Sequence, residues 1–575
     1  MAKLWIWVVS LALALSFFAR SAQAEKRQLC GEIYWVSEPV DLDSFHRRMI
    51  CGDPNTRAWR DIPLYQARTH LTAFLQTQGY ATPVMTFENN QLLVDCGPVL
   101  RVEKTQSNPE NLALNDTLLR YRKRIVTPDL LNLVEGTGKA FHRNQGYPCA
   151  STTSQIDVQS GALTVISSLG ERRRFNHVAI DSNAAFNAEL LRRYYSFTAE
   201  DEFHLDDLTL TRQRIDESEV VSGSYFITRC EDSASAEDAY LEHKYVLGMP
   251  RTFRFGFGAD TETGPYAYAG WKNNRFTQNL GQLGINAMAS FEKQTLNIEG
   301  SFYPSLETPR FYYSVLPSIA HDTSTGIEEI RAAVGFTPGY VWEFREESLR
   351  LEGGPYFIRT WHRPEGETTF QRDLSVALKL DLYLLAHAYE IKKNHPEAGY
   401  TLSTKLEYRN PLLGFFTNLL RAELDYKKVW RLGYCSLAEC FLALRHNAQV
   451  NISDRNVPLD QIPPSLQTFL GDVRTLRGFD VTNPLNPGLT QVSAGLDLRV
   501  QPFAWPKFEP YLLADVGKSG QRPLELGPDW LYSVGVGLRW LSPIGIVNGF
   551  FARAFTEAST IPDQWYYFIG LGEGF

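Results

Sequence analysis

The sequence predicts α+β repeats followed by an all-β transmembrane barrel of about 16 antiparallel strands. Three observations carry that expectation. The chain opens on an export signal, its C-terminal half alternates apolar and polar residues, and a strand–helix–helix–strand–strand pattern recurs ahead of the alternation.

Lys3 gives a basic start, Leu4 to Ala19 an apolar stretch, and Ser21-Ala22-Gln23-Ala24 a small-residue cleavage site. This is the layout of a secretory signal peptide over residues 1–24. An uncleaved membrane helix fits less well, because the apolar stretch is short. After Ala24 no apolar run approaches the 18 residues of a helical span. The mean hydropathy of -0.25 suits a barrel, whose polar lumen face dilutes the signal of its lipid face. The formal net charge is -8 and becomes -10 once Lys3 and Arg20 leave with the signal. That balance argues against a nucleic-acid binder. The 27 Tyr, 34 Phe and 12 Trp supply what the two aromatic girdles of a barrel require.

The alternation begins near residue 250. In 374–384, Leu374, Val376, Leu378, Leu380, Leu382 and Leu384 alternate with Ser375, Ala377, Lys379, Asp381 and Tyr383. The same period runs through 420–427, 491–500 and 532–540, giving each segment one apolar and one polar or glycine face. A soluble sandwich also alternates, but with shorter strands. These segments approach the length needed to cross a bilayer at a tilt. Tight turns such as Pro543-Ile544-Gly545 alternate with longer loops such as 453–490, as in outer-membrane barrels. At about 20 residues per strand and connection, residues 250–575 supply about 16 strands. The last strand sets Trp565, Tyr567, Ile569, Leu571 and Phe575 on one face, with Glu573 the exception.

Ahead of the barrel three repeats are expected, at 25–98, 99–171 and 172–249. The first has a strand over Leu29 to Val36, a helix over Leu64 to Gln78 ending at Gly79-Tyr80, and strands at 83–88 and 91–96. In the second, a helix ends at Gly146-Tyr147 and strands follow at 153–158 and 162–168. The third has a strand over Phe175 to Ile180, helices at 187–197 and 205–221, and a closing strand at 239–247. Both helices of each unit would pack on one sheet face, with a glycine ending the helix in a left-handed conformation. Of the seven cysteines, Cys435 and Cys440 flank a turn and are a candidate disulfide. The pairing of Cys30, Cys51, Cys96, Cys149 and Cys230 stays open.

The long loop holds Phe469-Leu470-Gly471-Asp472 and then Arg474-Thr475-Leu476-Arg477-Gly478-Phe479. By parity Asp497 lies opposite Leu496 and Leu498, and Asp515 opposite Leu512, Ala514 and Val516, so both acids face the lumen. Two inward acids on adjacent strands need a cation. A loop folded inward would bring Arg477, whose planar guanidinium suits two carboxylates. Gly478 would permit the sharp turn, and Phe479 would pack on the wall.

This loop resembles the Arg-Gly-Phe/Tyr loop of the POTRA-plus-barrel outer-membrane assembly superfamily, which includes BamA, TamA and the two-partner secretion transporters. Gly495-Leu496-Asp497 and Leu513-Ala514-Asp515-Val516-Gly517 are further matches, as are Gly256-x-Gly258, Trp271-Lys272, Ser542 to Gly545 and Phe568 to Gly572. Three repeats ahead of the barrel look most like the TamA (translocation and assembly module) family. The cysteine-rich first repeat departs from the pattern. The resemblance implies a factor of the cell outer membrane, with its N-terminal half in the periplasm, that inserts or translocates autotransporters and other outer-membrane proteins. It implies an inner-membrane-anchored TamB-like partner, unfolded outer-membrane or autotransporter clients and a surrounding lipid bilayer, with no nucleic acid. The barrel seam would join strand 252–260 to strand 565–575. Phe253, Phe255, Gly256 and Gly258 stand on one edge and Trp565, Gly570, Gly572, Gly574 and Phe575 on the other. Strand glycines weaken pairing, so the seam could open. They could equally just make room for large neighbours.

A BamA-like or two-partner transporter is the nearest alternative, and a small-molecule porin a more distant one. The chain shows no H-E-x-x-H, P-loop or Ser/His/Asp set, so no enzyme, cofactor or metal is expected. His142 and His204 read as isolated surface residues.

Overall fold

The computed structural model describes residues 26–575 except 54, 57–61, 181–185, 231–237, 262–263, 306–307, 324–327, 364–368, 393–394, 436–437, 454–461, 472, 480–487, 543–544, 558–563 and 572–575. The expected signal peptide, Asp472, Pro543, Ile544 and Gly572 to Phe575 therefore lie outside the described residues. The chain divides into two compact units, Met1–Glu171 and Arg172–Phe575.

The first unit holds two α/β modules. In one, β1 (Arg27–Cys30), β2 (Ile33–Trp35), β3 (Val84–Glu88) and β4 (Gln91–Asp95) form a sheet of order β1-β2-β4-β3. Helices α1 (Ser44–Cys51) and α2 (Leu64–Thr77) accompany it. Ala67, Leu71 and Leu75 recur at helical spacing and are buried with Trp35, Leu92 and Val94, as a core-facing stripe requires. The single strand expected over 29–36 is instead a hairpin, because Gly31 adopts φ +49° and reverses the chain. Cys30 and Cys51 are disulfide-bonded and tie β1 to α1, while Cys96 is a buried free thiol.

The other module comprises β5 (Lys104–Asn108), α3 (Leu112–Leu118), α4 (Pro128–Arg143), β6 (Ser151–Asp157) and β7 (Ala162–Ser168). Its sheet order is β5-β7-β6, with β5 parallel to β7. Thr127 caps α4 by accepting from Leu130 N, and Pro128 occupies its first turn, both favourable at a helix start. Past the helix ends, Gly79 and Gly146 have φ of +93° and +90°. His142, expected at the surface, is buried on α4 and hydrogen-bonds to Ser167.

The second unit opens with β8 (Arg174–Ile180), α5 (Leu205–Ser218), β9 (Gly223–Arg229) and β10 (Asp238–Val246), in sheet order β8-β10-β9. The helix expected at 187–197 is a 3-10 turn over Ala188–Tyr194. It stops because Tyr195 turns extended, which sets its ring against Phe226 and His243.

Sixteen antiparallel strands then close a barrel. They are β11 (Arg251–Asp260), β12 (Gly264–Asn273), β13 (Gln282–Ser290), β14 (Lys293–Phe302), β15 (Phe311–Asp322), β16 (Glu328–Glu343), β17 (Glu347–Arg363) and β18 (Gln371–Ala386). They continue as β19 (Gly399–Arg409), β20 (Leu419–Tyr434), β21 (Ala438–Ser453), β22 (Thr490–Pro502), β23 (Phe508–Gly520), β24 (Leu531–Ser542), β25 (Gly545–Thr556) and β26 (Gln564–Leu571). Alternation sets Phe253, Phe255, Phe257, Leu496, Leu512, Val534 and Trp565 on an exposed outer belt. Asp497, Arg499, Glu509, Tyr511 and Asp515 are buried inside. An apolar belt around a charged interior is the arrangement a bilayer demands. Cys435 and Cys440 are disulfide-bonded beside the β20–β21 turn.

Candidate functional site: the lumen loop and the barrel seam

The β21–β22 connection folds into the barrel. Arg421 of β20 donates to Ser465 O at 2.6 Å, Asn451 of β21 donates to Leu466 O at 2.7 Å, and Ser465 N donates to Glu329 of β16 at 3.1 Å. The loop thus reaches strands on several sides of the lumen. Its Arg477 is buried. Arg477 Nε donates to Asp515 Oδ2 at 2.8 Å and Nη2 to Asp515 Oδ1 at 2.6 Å, a bidentate pair. Nη2 also donates to Asp497 Oδ1, and the Arg477 backbone N–H to Asp515 Oδ2 at 3.0 Å. Charge-assisted, bidentate bonds of this kind fix geometry as well as energy.

The wall supplies a second cation that the sequence reading passed over. Arg445 of β21 lies 3.3 Å from Asp515 Oδ1 and donates to the loop carbonyl of Val473 at 2.7 Å. Two arginines therefore face two aspartates. Phe479 is buried with Leu470, Leu476, Leu531 and Ala554. Gly478 has φ +103°, and a Cβ there would stand 3.0 Å from Ser533 Cβ. Gly478→Ala is therefore expected to cost about 1–3 kcal/mol, read as a lower urea midpoint for barrel unfolding in vesicles.

Towards the rim that carries β8–β10, a second charged layer closes the lumen. The β18–β19 connection, with a single helical turn α6 (His387–Glu390), folds inward. Arg499 donates to Pro396 O at 2.9 Å, His395 Nε2 lies 2.9 Å from Glu509 Oε1, and Arg539 pairs with Glu509 at 3.3 Å. The outer side of the same connection is held by the α/β domain. Arg214 of α5 forks onto Glu390 at 2.8 and 2.6 Å and reaches Glu343 at 2.8 Å. Further ties join that domain to the rim. Arg193 donates to Asn279 O and lies 3.7 Å over the Tyr303 ring, and Arg310 donates to Tyr195 O at 3.0 Å.

The seam is the other distinctive feature. Among the described residues, β11 and β26 pair at one position, Asp260 with Gly570. By contrast β25 and β26 pair at eight positions and β11 and β12 at ten. The described register sets Gly570 of β26 beside Asp260, the last residue of β11. Phe253, Phe255, Trp565, Tyr567 and Ile569 are exposed on the outer face. Gly258 has a packing reason: a Cβ there would fall 2.3 Å from the Tyr266 ring. Tyr266 also reaches β26, where its hydroxyl donates to Leu571 O at 3.4 Å. Gly256 has open space around its missing Cβ, so no packing constraint explains it. Gly572, Gly574 and Phe575 lie outside the described residues. Among those described, no cluster of His, Cys, Asp and Glu side chains is suited to a metal.

Fold and site together define a transmembrane barrel preceded by α/β modules and filled by an arginine-anchored loop. Residues 392–575 match the model of the Omp85 superfamily domain. The solved structure of BamA from Haemophilus ducreyi lacking POTRA domains 1–3 is 13% identical, with 82% of this chain and 99% of that one covered at a TM-score of 0.50. CdiB from Acinetobacter baumannii is 15% identical over 88% of this chain and 96% of that one, at a TM-score of 0.46. The architecture is accordingly a BamA-like one, POTRA modules plus a 16-stranded barrel.

Proposed function

We propose that this chain is an outer-membrane assembly factor that inserts or translocates autotransporters and other outer-membrane proteins. On this reading the barrel sits in the outer membrane and the α/β modules in the periplasm. The observation that carries the proposal is the seam, where β11 and β26 pair at one ladder position among the described residues. A strand edge with few ladder partners is a template for an incoming strand, and on this reading a client hairpin adds to β11 or β26. The work is strand exchange and not bond chemistry. The loop held by Arg477 and Arg445 keeps β21–β25 rigid while the seam side yields. The three-module layout supports a TamA-like role with an inner-membrane-anchored, TamB-like partner.

Purification of the tagged protein from mildly solubilised envelopes tests this. Recovery of a large inner-membrane-anchored protein is the expected result. A set of outer-membrane lipoproteins would favour a BamA-like role, and a single secreted adhesin a two-partner transporter. Recovery of the barrel alone, with unchanged outer-membrane protein levels in a deletion strain, would overturn the proposal.

A further inference from the structure

The outer wall carries a charged feature that strand exchange does not use. On β17 the outward residues run Leu349, Leu351, Phe357, Arg359, Trp361 and Arg363. Phe357 and Arg359 are exposed. Across the ladder Trp361 faces Arg372, and Arg359 faces Leu374. Three arginines thus surround one tryptophan on the face turned towards lipid. Arg363 is paired with Glu328, whereas Arg359 and Arg372 form no ion pair among the described residues. The Arg359 guanidinium lies 4.8 Å over the Trp361 ring, which holds it against the wall.

Height along the barrel places this cluster. Trp342 of β16 pairs with Leu349 near the rim that carries the α/β domain. Trp361 stands twelve residues further along β17 than Leu349. At about 3.3 Å per residue and a tilt of about 40°, the two tryptophan levels are about 30 Å apart along the membrane normal. That is the thickness of a hydrocarbon core, so Trp342 and Trp361 mark its two faces. Arg359 and Arg372 then lie at the interface remote from the α/β domain, where a lipid-facing arginine is tolerated.

On the ladder rows of Arg359 and Phe357 is a groove of about 400 Å³ lined almost wholly by apolar atoms, including Leu296, Ile298, Ile319, Val334, Phe357 and Leu374. Arg359 also lines it, so the cations and the groove are one continuous surface. Its shape arises where Pro317 and Ala332 present little bulk beside Phe357.

We infer that this surface is a binding site for a phosphorylated, multiply acylated glucosamine lipid of the outer leaflet, with a phosphate on Arg359 and Arg372 and an acyl chain in the groove. Guanidinium groups favour phosphate through parallel N–H donors, and a groove lined by side chains of one wall accepts a single chain. The inference rests on the placement of the barrel in the outer membrane and is independent of the client it serves. Lipid held here would stiffen β14–β18, on the wall away from the seam.

Native mass spectrometry of the full chain in non-ionic detergent tests it, with lipid A, dephosphorylated lipid A and phosphatidylglycerol as probes. Lipid A should be retained in preference to the other two. The Arg359→Ala/Arg372→Ala double variant should lose about tenfold or more of that retention, and Arg359→Lys/Arg372→Lys should keep part of it. Heat-modifiable migration verifies folding; if the alanine variant fails to fold, the three-lipid comparison on the wild type decides. Equal retention of dephosphorylated lipid A, or of lipid A by a folded alanine variant, would overturn the site. Equal retention of phosphatidylglycerol would overturn the choice of lipid. Failure of the membrane placement would show separately, as wild-type protein absent from the outer-membrane fraction.

Discussion

Arg477→Ala is expected to release the lumen loop and destabilise the barrel by about 3–5 kcal/mol, the cost of breaking a buried ion pair by removing one partner. The side chains of Asp497 and Asp515 are fully buried, and Arg477 is nearly so. Without Arg477, Arg445 remains paired with Asp515. Arg445 reaches Asp515, and no bond from it to Asp497 accompanies that contact. Asp497 would therefore be left as a buried charge without its cation. Arg477→Lys should recover only part of the loss, because an ammonium cannot fork onto Asp515 while also reaching Asp497. Protease sensitivity of the 454–489 loop in intact cells reads the release, and urea unfolding in vesicles reads the stability. Asp497→Asn combined with Arg477→Ala should cost less than the sum of the single changes, since the two residues share one network. Additivity, or a loop as protected as in the wild type, would count against the pin.

The second large effect is expected on the other side of the lumen. Arg214 joins the α/β domain to the rim through Glu343 and Glu390, whose side chains are 4% and 15% exposed. Arg214→Ala leaves both acids without their main cation, with His387 3.2 Å from Glu343. A loss of about 3–5 kcal/mol of docking is expected on the same grounds. Hydrogen exchange should then quicken in α5 and in 387–398 while β21–β23 stay protected. The inward turn is also held by Arg499 at Pro396, so Arg499→Ala should loosen the turn without undocking the domain. Undiminished protection of α5 in the Arg214→Ala protein would show that apolar packing, such as Leu280 in the domain core, suffices for docking.

Much of this was legible in the sequence because strand parity is a strong local signal. Leu496-Asp497-Leu498 and Ala514-Asp515-Val516 each announce an inward acid, and the loop offers Arg477 between the strands. The same rule applied to Arg499, Glu509 and Arg539 would have revealed the second charged layer. Arg445 was equally accessible, since Arg445, Asn447, Gln449 and Asn451 share one parity on β21, opposite Leu444, Ala448, Val450 and Ile452. What the sequence could not show depends on register between distant strands. The register of β11 against β26 depends on strand number and shear acting together, which no local pattern encodes. The Tyr266 bridge over Gly258 likewise needs the β11–β12 register. Arg214 meets partners 129 and 176 residues away, a pairing without a local trace. In the first module Gly31 alone converted an apparent strand into a hairpin, a reminder that one left-handed glycine outweighs eight residues of strand-like composition.

The most direct test of the account is to lock the seam. Asp260→Cys with Gly570→Cys places two thiols at the position where β11 and β26 are paired among the described residues. Oxidised and reduced forms of this variant, reconstituted in vesicles, would be compared for the rate at which an unfolded outer-membrane barrel becomes protease-resistant. The account predicts that oxidation abolishes the acceleration and that reduction restores it. Equal rates for the locked and open forms would contradict it, since insertion would then proceed without the seam.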